Sequence, residues 1–137
     1  MVRIAFFGTP EFAVPTLSAL IESPCEVVTV ITQPDRPRGR GQRPSASPIK
    51  ILALRKHIPV LAPEALNDSV FLNQMRALQL ELGVVVAYGK LVPDNLLEIP
   101  TCGFVNLHAS LLPAYRGAAP IQRAVLDGNQ VTGVTLI

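Results

Sequence analysis

A carboxamide and an imidazole stand two residues apart in the apolar run GFVNLH at 103–108: Asn106 and His108. On an extended chain, residues two apart project to the same face. An amide N–H and an imidazole N–H aimed at one point stabilise a developing oxyanion, and the imidazole can also move a proton. The competing reading is a polar pair that caps a strand end or bonds to the following loop. A lone histidine would favour that reading; the joint placement favours chemistry.

Directly downstream, SLLPAYRGAAP at 110–120 is rich in turn residues. Ser110, Leu111, Leu112 and Pro113 offer backbone N–H and C=O groups beside an apolar wall, which suits a flat heterocycle. The same stretch would equally serve as a turn that packs the two leucines. Arg116 would hold a phosphate or brace the loop, and Leu112–Pro113 is a candidate cis peptide. A second apolar run, VVVAYGKLVP at 84–93, brings Lys90, Leu91 and Val92 to the sheet edge expected for Asn106.

The remaining chemistry is basic. QPDRPRGRGQRPSAS at 33–47 carries Arg36, Arg38, Arg40 and Arg43 among glycines and prolines. That composition reads as a loop throughout. Guanidinium forks suit phosphate, and glycines allow close backbone approach. No aromatic is interleaved, so base stacking is not on offer. A solvated loop and a phosphate-reaching arm weigh evenly on these residues. FFGTPEF at 6–12 joins a strand to a helix without a G-x-G-x-x-G pattern, and reads as a plain tight turn. His57 falls where a helix should end, a favourable place for a cation.

These groups need a scaffold. Strands are expected over 2–7, 26–32, 58–63, 83–89 and 103–108, with a last one starting in TGVTLI at 132–137. Helices are expected over 11–23, 48–57, 68–80 and 118–128. Phe12, Leu17, Leu20 and Ile21 share one side of the first, and Pro15 is tolerated in its first turn. Ser47 is the expected cap of the second helix, and Asn67 or Asp68 that of the third. Near-continuous apolar strands alternating with amphipathic helices predict an α/β fold, an open parallel sheet with helices on both faces. In such sheets ligands bind beyond the carboxyl ends of the strands.

The 137 residues fit one domain, and 49% hydrophobic content allows a real core. Charged residues are only 16% and the net charge is +2, which does not by itself announce nucleic-acid binding. Cys25 and Cys102 lack metal-site spacing and are expected to be buried thiols in a reducing compartment. The amino-terminal apolar run is too short for a signal peptide or a span, so a cytoplasmic protein is expected. The sequence stops inside an apparent strand, as a cut chain would.

FFGTPEFAVPTL, TQPDRPRGRGQ, VVVAYGKLVP and the segment from NLHASLLPAYRGAAP to TGVTLI together resemble the amino-terminal part of bacterial methionyl-tRNA formyltransferases. The N-x-H-x-S-L-L-P-x-Y-R-G pattern is shared by folate-dependent formyltransferases as a group. The arginine loop resembles that of the tRNA-directed members. The resemblance implies a Rossmann-like formyltransferase fold, incomplete at its carboxyl end, for residues 1–137 as a partial amino-terminal domain, with a basic insertion at about 33–47.

It also implies a reaction: a formyl group passes from 10-formyltetrahydrofolate, a co-substrate, to the α-amino group of methionyl initiator tRNA, in translation initiation and with no metal. In that likeness Asn106 donates to the formyl oxygen, and His108 assists there and in proton transfer. Ser110, Leu111, Leu112 and Pro113 bind the folate, Leu91 and Val92 line the pterin pocket, and Arg36, Arg38, Arg40 and Arg43 meet the tRNA acceptor end, Arg40 foremost. The family's catalytic aspartate falls beyond residue 137, so the chain alone is expected to be nearly inactive, poorly stable and prone to self-associate through exposed edges. A longer relative would be monomeric and, like this chain, have no membrane partner. An amino-sugar-nucleotide formyltransferase and a non-catalytic folate- or RNA-binding fragment remain as alternatives.

Overall fold

The computed structural model describes residues 1–38, 43–108 and 135–136. The strands are β1 (Arg3–Gly8), β2 (Glu26–Ile31), β3 (Arg36–Arg38), β4 (Arg43–Ser45), β5 (Val60–Leu61), β6 (Leu82–Val86), β7 (Phe104–His108) and β8 (Thr135–Leu136). The helices are α1 (Val14–Glu22), entered through a 3-10 turn at Glu11–Ala13, α2 (Pro48–Arg55), α3 (Ser69–Ala77) and α4 (Asp94–Leu97).

The main sheet runs β5-β2-β1-β6-β7-β8. Its first five strands are parallel, as the apolar runs predict. β8 pairs antiparallel with β7, setting Leu107 opposite Leu136 and His108 opposite Thr135. The expected open parallel sheet is thus present, with β8 added antiparallel at its side: an apolar run carries no direction of its own, and an antiparallel edge strand is common on parallel sheets.

β1 shows why its sequence is apolar without alternation. Ile4 and Phe6 enter one core with Leu17 of α1 and Ile49, Leu52 and Ala53 of α2. Ala5 and Phe7 enter the other with Phe71, Leu72 and Met75 of α3 and Leu96 of α4. Successive residues point to opposite faces, so a strand covered on both sides must be apolar throughout. Phe12, Leu20 and Ile21 pack around the first core, and Pro15 sits within the first turn of α1.

Helix ends follow local chemistry. The Ser47 hydroxyl accepts from Lys50 N at 3.0 Å, and the Asp68 carboxylate from Phe71 N at 3.0 Å, so Asp68 rather than Asn67 caps α3. α2 closes with His57 at φ +59, in the left-handed position that glycine usually takes. His57 N donates to Leu54 O (3.1 Å) and Ile58 N to Ala53 O (2.9 Å), which satisfies two terminal carbonyls.

Two elements depart from the sequence expectation. α4 is a four-residue helix entered at Pro93, too short to show periodicity. The arginine segment is not wholly loop: β3 and β4 form an antiparallel ribbon with Pro37 opposite Pro44. Prolines have no N–H, so that pair takes a non-hydrogen-bonded position of the ladder, and the ribbon forms despite them. A third correction concerns the thiols. Cys25 is half-buried, but Cys102 is exposed, because it lies in the turn before β7 with its N–H donated to Glu81 O at 2.7 Å.

Candidate functional site

The strand order reverses between β1 and β6, so β2 and β5 lie to one side and β7 and β8 to the other. The crevice beyond the carboxyl ends of β1 and β6 is where open α/β sheets take ligands. Gly8 ends β1 there. A Cβ on it would lie 2.8 Å from the Phe6 ring, 3.0 Å from Val86 O and 3.1 Å from the Ala13 methyl. The glycine is a packing requirement, in keeping with the plain-turn reading of FFGTPEF.

β7 supplies the amide and the imidazole. Phe104 faces the core of α3 and α4, while Val105 and Leu107 face the core of α1 and α2. By alternation Asn106 and His108 therefore share the α3/α4 side. Asn106 is exposed beside Val85 of β6, and His108 is half-buried at the strand's carboxyl end. Phe104 is held over Gly83, where a Cβ would come within 2.3 Å of its ring, and packs on Phe7 at 5.4 Å. The glycine thus lets the root of β7 lie close to β6.

The segment 87–92 leaves β6 in strained backbone, with Ala87 at φ +52 and Gly89 at φ +97. Tyr88 between them is buried, its ring edge-on to Phe7 at 5.7 Å. Its hydroxyl meets no partner among the described residues, and burial pushes the phenol up to about 12. Of the two residues expected to line a pocket, Val92 packs on the α3/α4 core, while Leu91 is 94% exposed. Lys90 is not a simple surface lysine: its Nζ donates to Glu64 O at 2.6 Å.

The arginine ribbon has a built neck. Thr32, just before it, and Ser47, just after it, join hydroxyls at 2.7 Å in a buried pair. Lys50 of α2 meets both oxygens of Asp35 at 3.1 Å. Arg36 and Arg43 are exposed and share one face of the ribbon, since Arg36 lies opposite Ser45, two residues from Arg43. Arg38 lies opposite Arg43 in register. Arg36 approaches Glu64 at 3.6 Å, a solvated pair of small energetic weight. Arg40, Ser110, Leu111, Leu112, Pro113 and Arg116, the Leu112–Pro113 bond and the helix expected over 118–128 lie outside the described residues.

Sequence reasoning missed Thr9, Gln33, Thr32 and Glu64, which tie these segments together. No local signal marks them, because each acts across the sheet edge. Among the described residues no group of three His, Cys, Asp or Glu comes together, and no helix is long and apolar enough to cross a membrane.

The formyl transferase family model matches residues 2–137. A methionyl-tRNA formyltransferase of Thermodesulfovibrio yellowstonii is 53% identical over 132 residues, covering 96% of this chain and 43% of that protein. One from Pseudomonas syringae pv. syringae is 54% identical over 136 residues, covering 99% and 43%. The chain thus spans less than half the length of the relatives it matches. Among solved structures, a phosphoribosylglycinamide formyltransferase of Bacillus halodurans aligns with TM-score 0.72 at 27% identity, covering 98% of this chain and 70% of that one. A formyltetrahydrofolate deformylase of Pseudomonas syringae pv. tomato aligns with TM-score 0.68 at 21% identity, covering 98% and 45%, a likeness of fold.

Proposed function

The chain belongs to the formyl transferase family, and on that footing we propose that it forms the amino-terminal part of a site that moves a formyl group from 10-formyltetrahydrofolate to the α-amino group of methionyl initiator tRNA. The observation that carries the chemistry is the placement of Asn106 and His108 on one side of β7, at its carboxyl end and one strand from the sheet's switch point. The identity to methionyl-tRNA formyltransferases supports the acceptor. The exposed Arg36 and Arg43 on a ribbon with a pinned neck suit a phosphate backbone.

In this reading the amine attacks the formyl carbon and a tetrahedral intermediate carries negative charge on the formyl oxygen. The Asn106 amide donates to that oxygen. His108 donates there and moves the proton released by the attacking amine toward the departing folate nitrogen, as the new C–N bond forms and the old one breaks. Leu91 and Val92, with Ser110, Leu111, Leu112 and Pro113, form the folate wall. Arg36, Arg38, Arg40 and Arg43 engage the tRNA. Residues 1–137 are read as part of the catalytic domain, with 33–47 as its tRNA-directed insertion.

The test uses the polypeptide extended to the length of its relatives. Asn106→Ala should lower turnover by about 100–1,000-fold, the usual cost of one oxyanion donor, while folate affinity changes far less. Equal losses in turnover and affinity would make Asn106 a binding residue. Formyl transfer to an amino sugar nucleotide in place of the tRNA would overturn the acceptor.

A further inference from the structure

Three segments that the sequence keeps apart close a hydrogen-bonded ring at the sheet's carboxyl edge. Gln33 N donates to Thr9 Oγ1 at 3.3 Å, and Thr9 Oγ1 donates to Tyr88 O at 3.1 Å. Gln33 Nε2 donates to the same Tyr88 O at 3.2 Å. One backbone carbonyl thus takes two side-chain donors, from the ends of β1 and β2. That carbonyl belongs to the strained segment 87–92, flanked by Ala87 at φ +52 and Gly89 at φ +97. Glycine suits position 89 for its φ, and a Cβ there would lie 3.2 Å from Gln33 Nε2, a tight contact that the carboxamide would have to yield to.

Gln33 is also the first residue beyond Thr32, whose hydroxyl pins the neck of the arginine ribbon to Ser47. A second tie runs in parallel, since Arg36 of the ribbon and Lys90 of the 87–92 segment both end on Glu64. The Arg36 contact is solvated and weak. The ring is half-buried and carries the coupling.

We infer that the Gln33 carboxamide and the Thr9 hydroxyl are positioning groups that hold residues 87–92 in the shape that receives the folate and register that wall against the foot of the arginine ribbon. The inference rests on the folate reading of Leu91 and Val92 above. Neither group touches the reacting atoms. They act through the Tyr88 carbonyl, whose orientation sets where the next peptide groups and Leu91 point.

Amide hydrogen exchange at residues 88–92 reads the ring without any ligand, and the Kd for 5-formyltetrahydrofolate reads its purpose. Each is measured on the same full chain. Gln33→Ala and Thr9→Val should each speed exchange at 88–92 by about three- to tenfold, the share of one net hydrogen bond, and weaken folate binding by a similar factor. The melting temperature should fall by no more than about 3–6 °C, the same loss read through global unfolding. Thr9→Ser, which keeps the hydroxyl, should restore both readouts. Gln33→Glu, which turns an acceptor toward a carbonyl, should be worse than alanine. Wild-type exchange at 88–92 in Gln33→Ala overturns the ring. Faster exchange with unchanged folate affinity overturns the positioning role and leaves a structural brace. A wild-type chain that fails to bind the folate overturns the proposed function and the ligand half of this inference, while the exchange comparison still decides the ring.

Discussion

Tyr88→Phe should stabilise this chain, and the gain should grow in alkali. The ring is 1% exposed and stands edge-on to Phe7, with centroids 5.7 Å apart and planes at 88°. Phenylalanine keeps that contact and nearly all the volume. What it removes is a buried hydroxyl with no partner among the described residues. Leaving such a group unsatisfied costs about 1–3 kcal/mol, so the variant should gain up to that amount at neutral pH. At this chain length that is roughly 4 °C of melting temperature per kcal/mol.

The alkaline behaviour follows from the same burial. It holds the phenol at about 12, against 10.0 in the unfolded chain. Below pH 10 both states keep the proton and the group adds no slope. Between pH 10 and 12 the unfolded chain releases it and the folded chain does not, so wild-type stability falls by up to about 2.7 kcal/mol across that interval. Tyr88→Phe lacks this loss. All other ionisable groups are common to both proteins and cancel in the difference. Urea unfolding of both, followed by circular dichroism from pH 7 to 12, gives the difference curve. A variant less stable than wild type by 1 kcal/mol or more at pH 7 would mean that the hydroxyl has a partner. Parallel curves above pH 10 would mean that the phenol is not desolvated.

Two further changes probe what positions the site. Ser47→Ala removes the cap on Lys50 N and strands the buried Thr32 hydroxyl; a loss of about 2–4 kcal/mol is expected. Adding Thr32→Val should recover part of it, and a loss below 0.5 kcal/mol, on the order of a neutral surface change, would show that the neck is not pinned there. Gly83→Ala drives a methyl into the Phe104 ring and should cost about 1–3 kcal/mol by overpacking. Shortening Phe104 to leucine in the same chain should relieve it, and an unchanged melting temperature in Gly83→Ala would refute the close approach of β6 and β7.

Much of this architecture is readable from local pattern. The five parallel strands announce themselves as apolar runs because both faces of β1 and β6 are covered. Ser47 and Pro48 mark the start of α2, since a hydroxyl before a proline suits a helix entrance whatever surrounds it. The shared side of Asn106 and His108 follows from the two-residue period of a strand. Family membership is readable in the sequence as well, and the proposed reaction rests on it. Tertiary structure decided everything that depends on which distant residues meet. The direction of β8 appears only in its antiparallel pairing with β7, since the residues TL encode none. The ribbon of β3 and β4 needs Pro37 and Pro44 to fall opposite each other, a matter of register that no single strand encodes. The ring of Thr9, Gln33 and Tyr88 spans sequence separations of 24, 55 and 79 residues. A hydroxyl, a carboxamide and a carbonyl are among the commonest groups in any chain; only the sheet order, which lays β2, β1 and β6 side by side, brings these three within hydrogen-bonding distance.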